Sequence, residues 1–336
     1  RVFPPDGHGG EGRSLFSEDG TPLKEGKYRT TDLSKSEQGF YVTANGLKSD
    51  VFKVSIREPF AEDAYETITY PVVFHLIQDK TKVELGQGVG ADIVNYAFNT
   101  IYNCFARTAA FSPNGADTKI RFRLAEYDPN GRKMEEKGIN RYSLSTSDLN
   151  NLNPEKIKNN PKICWDYKRY LNIWIVENMG NSVSTPHYIL NTADLNQIQG
   201  VSFEQLSLEE IEKQEYSLTD IGLIYGARDF AIEDVGYPTQ MGKFFGLLDT
   251  ENQKEDYCED TFAYNTYKEP WNTALEGSNS RLKISTDGLI FYSVNIMDAS
   301  SYKNTISMDQ VKRIRTITDN CPHRWAWKSD WAFTGK

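Results

Sequence analysis

In the stretch TQMGKFFGLLDT, residues 239–250, four positions have the spacing of a metal-assisted hydrolytic site but carry side chains that do not suit one. Thr239 and Lys243, four apart, fall on one face of a helix. Gly246 stands where such a helix can stop and turn, and Asp249 follows three residues later. With His at all three outer positions and Glu at the second, that frame holds zinc on three neutral imidazoles and gives the metal-bound water a general base. Here Gln240 cannot take up a proton, and the Lys243 ammonium has no lone pair to offer a cation. If the fold holds Thr239, Lys243 and Asp249 around one point, the ammonium and the carboxylate meet there as a salt bridge, and Thr239 adds a hydrogen bond.

The rest of the chain supplies no substitute pair of ligands. Its four His are His8, His75, His187 and His323, and no two are four residues apart. His75, inside the apolar run TITYPVVFHLIQD, reads as a satisfied core or edge histidine; His187, after SVSTP, is a loop residue that is either solvated or turned to a binding cleft. Asp256, Glu259 and Asp260 concentrate hard oxygen ligands, which suits calcium or a solvated acidic loop. Cys104, Cys164, Cys258 and Cys321 form no CxxC pair, which excludes a zinc ribbon and leaves three complete disulfide pairings open. The Trp-rich end HRWAWKSDWAF reads as packing onto the domain, with sugar stacking as the alternative.

These residues need a scaffold, and the hydrophobic pattern outlines it. Residues 1–20 are rich in Gly, Pro and charge and read as a linker or tether. From 21 to 62, GFYVTANGLKSDVFKVSIRE places Phe40, Val42 and Ala44 before an Asn45-Gly46 turn and Val51, Phe52, Val54 and Ile56 after it, a hairpin pattern that resembles the last strands of a bacterial Ig-like module. A larger unit follows at 66–325. TITYPVVFHLIQD reads as a buried strand, and GADIVNYAFNTIYNCFAR as a helix with Ile93, Ala97, Ile101 and Cys104 on its apolar stripe. TKIRFRLAEYD, RYLNIWIVEN and LTDIGLIYG read as further strands, the 239–250 segment and SMDQVKRIRTITDN as helices, and 326–336 as a C-terminal tail. The fold class is α/β (α+β) with a mixed sheet.

With these elements in order, the chain resembles the pappalysin family of metzincin metallopeptidases. The flank MGKFFGLLDT is similar to that family's H-E-x-G-H-F-x-G-L-x-H-T helix, and NIMDAS to the Met-turn beneath its metal, with Met297 as the methionine. Ser307, Gln310 and Arg313 match the closing-helix pattern F-T-x-x-Q-x-x-R-M, and DYCEDTFAYNTY resembles the Cys- and Asp-bearing loop between the third ligand and the Met-turn. The resemblance implies a metzincin-like fold, with Gly246, Met297 and His187 as cleft candidates. It places zinc ligands at Thr239, Lys243 and Asp249 and the base at Gln240, all of them replaced, so no catalytic residue is expected and zinc is expected to be absent, with calcium allowed at the acidic loop. It further implies an exported bacterial protein at the cell surface or in the periplasm, lipid-anchored through a removed N-terminal segment in one version.

Composition narrows the function classes. A net charge of -9 with no local Lys/Arg cluster argues against nucleic acid as a partner. Mean hydropathy is -0.59, and no apolar run approaches the roughly 20 residues that span a bilayer. The expected function is that of an inactive metallopeptidase homologue, a pseudoprotease whose cleft holds a peptide, protein or glycan. The alternatives are an active metalloendopeptidase with unconventional ligands, such as Asp249 and His187, and a structural envelope or adhesion protein.

Overall fold

The computed structural model describes residues 13–24, 28, 32, 34–56, 61–82, 88–109, 115–177, 179, 188–191, 198–232, 236–251, 255–264, 282–286, 288, 290–299 and 303–336. His187 and residues 1–12 of the expected tether lie outside them. The chain divides into two units, Arg1–Ala61 and Glu62–Lys336.

The first unit is an antiparallel sheet of four strands, β1 (Arg13–Ser17), β2 (Glu37–Ala44), β3 (Leu47–Lys48) and β4 (Phe52–Ser55). β2 pairs with β1 on one side and with β3 and β4 on the other. Asn45 (φ 49°) and Gly46 (φ 80°) both have positive φ, which is what the expected two-residue hairpin turn requires. The tether expectation fails at Arg13–Ser17: Leu15 is buried and Phe16 stacks on Tyr41 at 5.2 Å, so this segment gains more from pairing than from remaining a linker.

The second unit is built on a five-stranded sheet of β5 (Ile68–Asp79), β6 (Ile120–Leu124), β7 (Ile139–Leu144), β8 (Leu171–Val176) and β11 (Gly222–Gly226). Among the described residues all its pairings are parallel, in the order β11-β8-β5, and the long β5 carries β6 along its first half and β7 along its second half on the same edge. Parallel neighbours need crossovers. The first is α1 (Ala91–Phe105), and α2 (Thr146–Asn150) and α3 (Pro154–Lys158) lie between β7 and β8. Helices on both faces explain why ITYPVVFHLIQD is apolar almost throughout instead of alternating.

Successive β5 side chains enter two cores. Ile77 joins Trp174, Val176, Ile224, Leu149 and Ile157 on one face. On the same face, Val73 meets Ala125, Trp165, Tyr170 and Ala332. On the other face, Tyr70 and Phe74 meet aromatic rings of the helices: Tyr70 lies 5.3 Å from Phe245, and Phe74 lies 6.3 Å from Phe230. The α1 stripe is Val94, Ala97, Ile101, Cys104 and Phe105, so Val94 takes the buried position expected for Ile93, which is half-exposed.

Shorter elements complete the unit: β9 (Tyr188–Leu190) and β10 (Phe203–Gln205), parallel to each other; α4 (Leu208–Ile211), α5 (Ala227–Ala231) and α6 (Tyr237–Phe244); antiparallel β12 (Leu282–Ile284) and β13 (Ile290–Tyr292); α7 (Met308–Asn320); and α8 (Trp331–Thr334). Residues 326–336 are part of this unit's core rather than a separate tail, since the Ala332 carbonyl accepts from the backbone of Glu126 and Tyr127 at 2.8 and 3.0 Å. The indole N–H groups of Trp325, Trp327 and Trp331 donate to the carbonyls of Asp319, Thr318 and Asp128, which agrees with packing rather than a sugar platform.

Candidate functional site

The residues expected to surround one point lie on α6 and the turn after it. Pro238 opens the helix, where its missing N–H costs nothing. Gly246 ends it with φ +92°, and a Cβ there would stand 2.7 Å from Ile317 Cγ1, so both the turn and the close approach of α7 require glycine. Phe245 fixes the helix end to the sheet by packing on Tyr70, Phe105 and Phe122.

Carbonyls around the end of α6 accept hydrogen bonds from distant parts of the chain. The Tyr188 hydroxyl donates to the Lys243 carbonyl at 2.5 Å, Arg324 Nε to the Phe244 carbonyl at 2.9 Å, and Arg313 Nη2 to the Gly246 carbonyl at 3.1 Å. Two guanidinium groups at a helix C-terminus also oppose its dipole.

The Lys243 ammonium meets Asp249, with Nζ 2.8 Å from Oδ1 and 2.9 Å from Oδ2. Thr239 does not join this pair. Its hydroxyl donates to the Ile296 carbonyl at 2.5 Å and accepts from Lys303 Nζ at 2.8 Å. The reason is position: Thr239 is buried at the start of α6, against the segment that carries Met297, and its short side chain reaches that backbone first. Gln240, between them in sequence, is half-buried.

Met297 lies directly beneath the helix. A Cβ on Gly242 would come within 2.9 Å of its sulfur, so glycine is what allows α6 to rest there. Asn295 holds this turn, accepting from the Met297 backbone at 2.9 Å and exchanging amide hydrogen bonds with Gln310 at 2.8 and 3.0 Å. Thr250, after Asp249, donates to Asp298 at 2.5 Å, and Ser293 donates to the same carboxyl at 2.7 Å. Burial pushes the Asp298 carboxyl above the usual carboxylate range, against those two donors.

The three closing-helix residues each have a structural task. Ser307 caps α7 in a capping box with Gln310, Gln310 grips Asn295, and Arg313 reaches Gly246 and the Gln199 carbonyl, the latter at 2.9 Å. Asp260 turns to the start of the same helix, accepting from Ser307 Oγ at 2.6 Å and from the Asp309 backbone at 3.0 Å. Asp256 accepts from Thr261 Oγ1 at 2.7 Å and the Cys258 backbone at 3.1 Å, and burial raises its pKa. Among the described residues no three His, Cys, Asp or Glu converge as metal ligands.

His75 is buried with Nε2 2.8 Å from Asn172 and Nδ1 2.9 Å from Asn140, a satisfied core histidine on β5. The four cysteines are separate thiols, and burial raises Cys104 to about 12 and Cys164 to about 11, far from reactive thiolates. Lys303, Tyr188 and Arg324 were not anticipated; none stands at a spacing from α6 that a local pattern could reveal. The donor set at the α6 turn does not fit zinc. It holds a protonated amine in an ion pair, a carboxylate already engaged by it, and a hydroxyl bonded elsewhere.

No protein-family model matches the chain, and no curated protein does. Among solved structures the chain is similar to Tannerella forsythia mature mirolysin in complex with a cleaved peptide, at 18% identity over 80% of this chain and 97% of that one, TM-score 0.47. It is similar also to a promirolysin variant from the same organism, at 19% identity over 80% and 85%, TM-score 0.48. A third is mirolysin in complex with compound 9, at 18% identity over 80% and 99%, TM-score 0.47.

Proposed function

We infer that this chain is a non-catalytic relative of the pappalysin-like metallopeptidases, which binds a peptide segment without cutting it. The observation that carries this is the Lys243–Asp249 ion pair, with Nζ 2.8 Å from Oδ1, at two positions where the motif pattern calls for zinc ligands. An ammonium there repels a divalent cation, and Gln240 in place of Glu leaves a water without a base. The frame around the pair is kept: Gly242 over Met297, the left-handed Gly246, and the Asn295–Gln310 clasp. Retaining that frame without its chemistry favours a role in binding.

Peptide is the ligand class that the resemblance supports, and export from a bacterium belongs to the same inference. Among the described residues no helix is long and apolar enough to cross a membrane. The test is to incubate the chain with equimolar zinc and a library of acetyl- and amide-blocked decapeptides, then analyse the bound and free fractions by mass spectrometry. Intact peptides in the bound fraction are expected. Cleaved peptides, or an empty bound fraction, would overturn the inference.

A further inference from the structure

The Lys243–Asp249 pair has more hydrogen-bonding capacity than its own contact uses, and we propose that it reads the backbone of one residue in an extended peptide. The ammonium donates to that residue's C=O, and the carboxylate accepts from its N–H. This rests on the peptide-binding function proposed above and states how the peptide is held.

Both Asp249 oxygens lie 2.8 to 2.9 Å from the same Nζ. An ammonium has three N–H donors and a carboxylate about four acceptor positions, so each partner keeps capacity for another group. The two side chains retain 20% and 27% exposure, which leaves room for an incoming backbone and limits competition from water. A residue in β conformation turns its own N–H and C=O to the same edge, which is how one residue of an antiparallel pair exchanges both bonds with its partner. The ion pair presents the complementary acceptor and donor side by side. The carbonyls around the end of α6 are already engaged by Tyr188, Arg324 and Arg313.

Stability does not account for the pair. A partly exposed ion pair adds little net stability, and an apolar pair of like volume serves a fold equally well. A surface for a ligand side chain lies close by: Tyr257 is 44% exposed and holds φ 57°. Its ring and Leu248, the neighbour of Asp249, both lie against Gly200, within 2.3 and 2.7 Å of where a Cβ would stand. The charges also select among ligands. A terminal carboxylate attracted by Lys243 is repelled by Asp249, and a terminal amine meets the reverse, whereas an internal, uncharged residue suits both.

The experiment takes the decapeptide retained most strongly from the blocked library and measures binding of each singly N-methylated form by calorimetry. The proteins are the wild-type chain, Lys243→Ala/Asp249→Ala, and Lys243→Gln/Asp249→Asn, which keeps the shape if the alanine form does not fold. One methylated position should weaken wild-type binding about tenfold, the loss of one charge-assisted hydrogen bond, and about twofold or less in the alanine form. In the Gln/Asn form, where neutral hydrogen bonds replace charge-assisted ones, methylation at that position should cost about threefold or less, a smaller loss than in the wild type. Identical methylation profiles in all the proteins would overturn the proposal while leaving peptide binding intact. Absence of any retained peptide on the wild type would overturn the function beneath it.

Discussion

Lys243 and Asp249, on either side of the turn at Gly246, are joined by an ion pair of 2.8 Å in which both side chains are mostly shielded, at 20% and 27% exposure. Removing one partner leaves the other charged and poorly solvated. Lys243→Ala is therefore expected to lower stability by about 1–2 kcal/mol, a figure already reduced for the residual exposure, and the double variant with Asp249→Ala by less. Urea denaturation of the single and double variants checks this. Equal losses would show that the pair is not coupled.

Gly246 carries the chain through φ +92° with Ile317 against it. Gly246→Ala combines a left-handed backbone with a steric clash, and a loss of about 2 kcal/mol or more is expected from thermal denaturation. The last turn of α6, and with it the Lys243–Asp249 contact, should loosen first in hydrogen exchange.

Acid should destabilise the second unit through two histidines. Burial pulls the pKa of His75 and of His323 from 6.5 down to about 4, against the Asn172 hydrogen bond in the first case and helped by Arg324 in the second. Both are then neutral in the fold and protonated when unfolded between those values. Their contribution is complete above about pH 6.5 and is lost as pH falls to about 4, at up to about 3 kcal/mol each. His323 stands between the rings of Tyr167 and Tyr216 at 5.0 and 5.4 Å, and among the described residues neither ring nitrogen has a hydrogen-bond partner. His323→Phe should thus remove about half of the loss between pH 6.5 and 4, measured by urea midpoints across that range.

Much of the scaffold was legible because hydrophobic period and turn chemistry are local. β5, α1, β8 and the Asn45-Gly46 hairpin fall where the pattern puts them, and so does the ion pair, because Lys243 and Asp249 are only six residues apart. The partner of Thr239 was not legible, since Ile296 and Lys303 reach it only through the fold. β7 was missed because INRYSL carries little apolar signal; it is held by parallel pairing to β5. Arg13–Ser17 was misread because a strand amid Gly and charge shows itself only in its pairing with β2.

If the frame still holds the outer positions around one point, restoring the ligands should restore the metal. A chain carrying Thr239→His, Gln240→Glu, Lys243→His and Asp249→His is expected to retain zinc after desalting and to be stabilised thermally by it. Zinc-independent melting of this variant would mean that the turn after Gly246 no longer brings the third position back.

The most direct test of the central claim is zinc content of the wild-type chain by elemental analysis, after incubation with equimolar zinc and desalting. The account predicts a negligible amount, because an ammonium and its carboxylate partner fill the α6 turn. Stoichiometric zinc would contradict it and would require ligands outside residues 239–249.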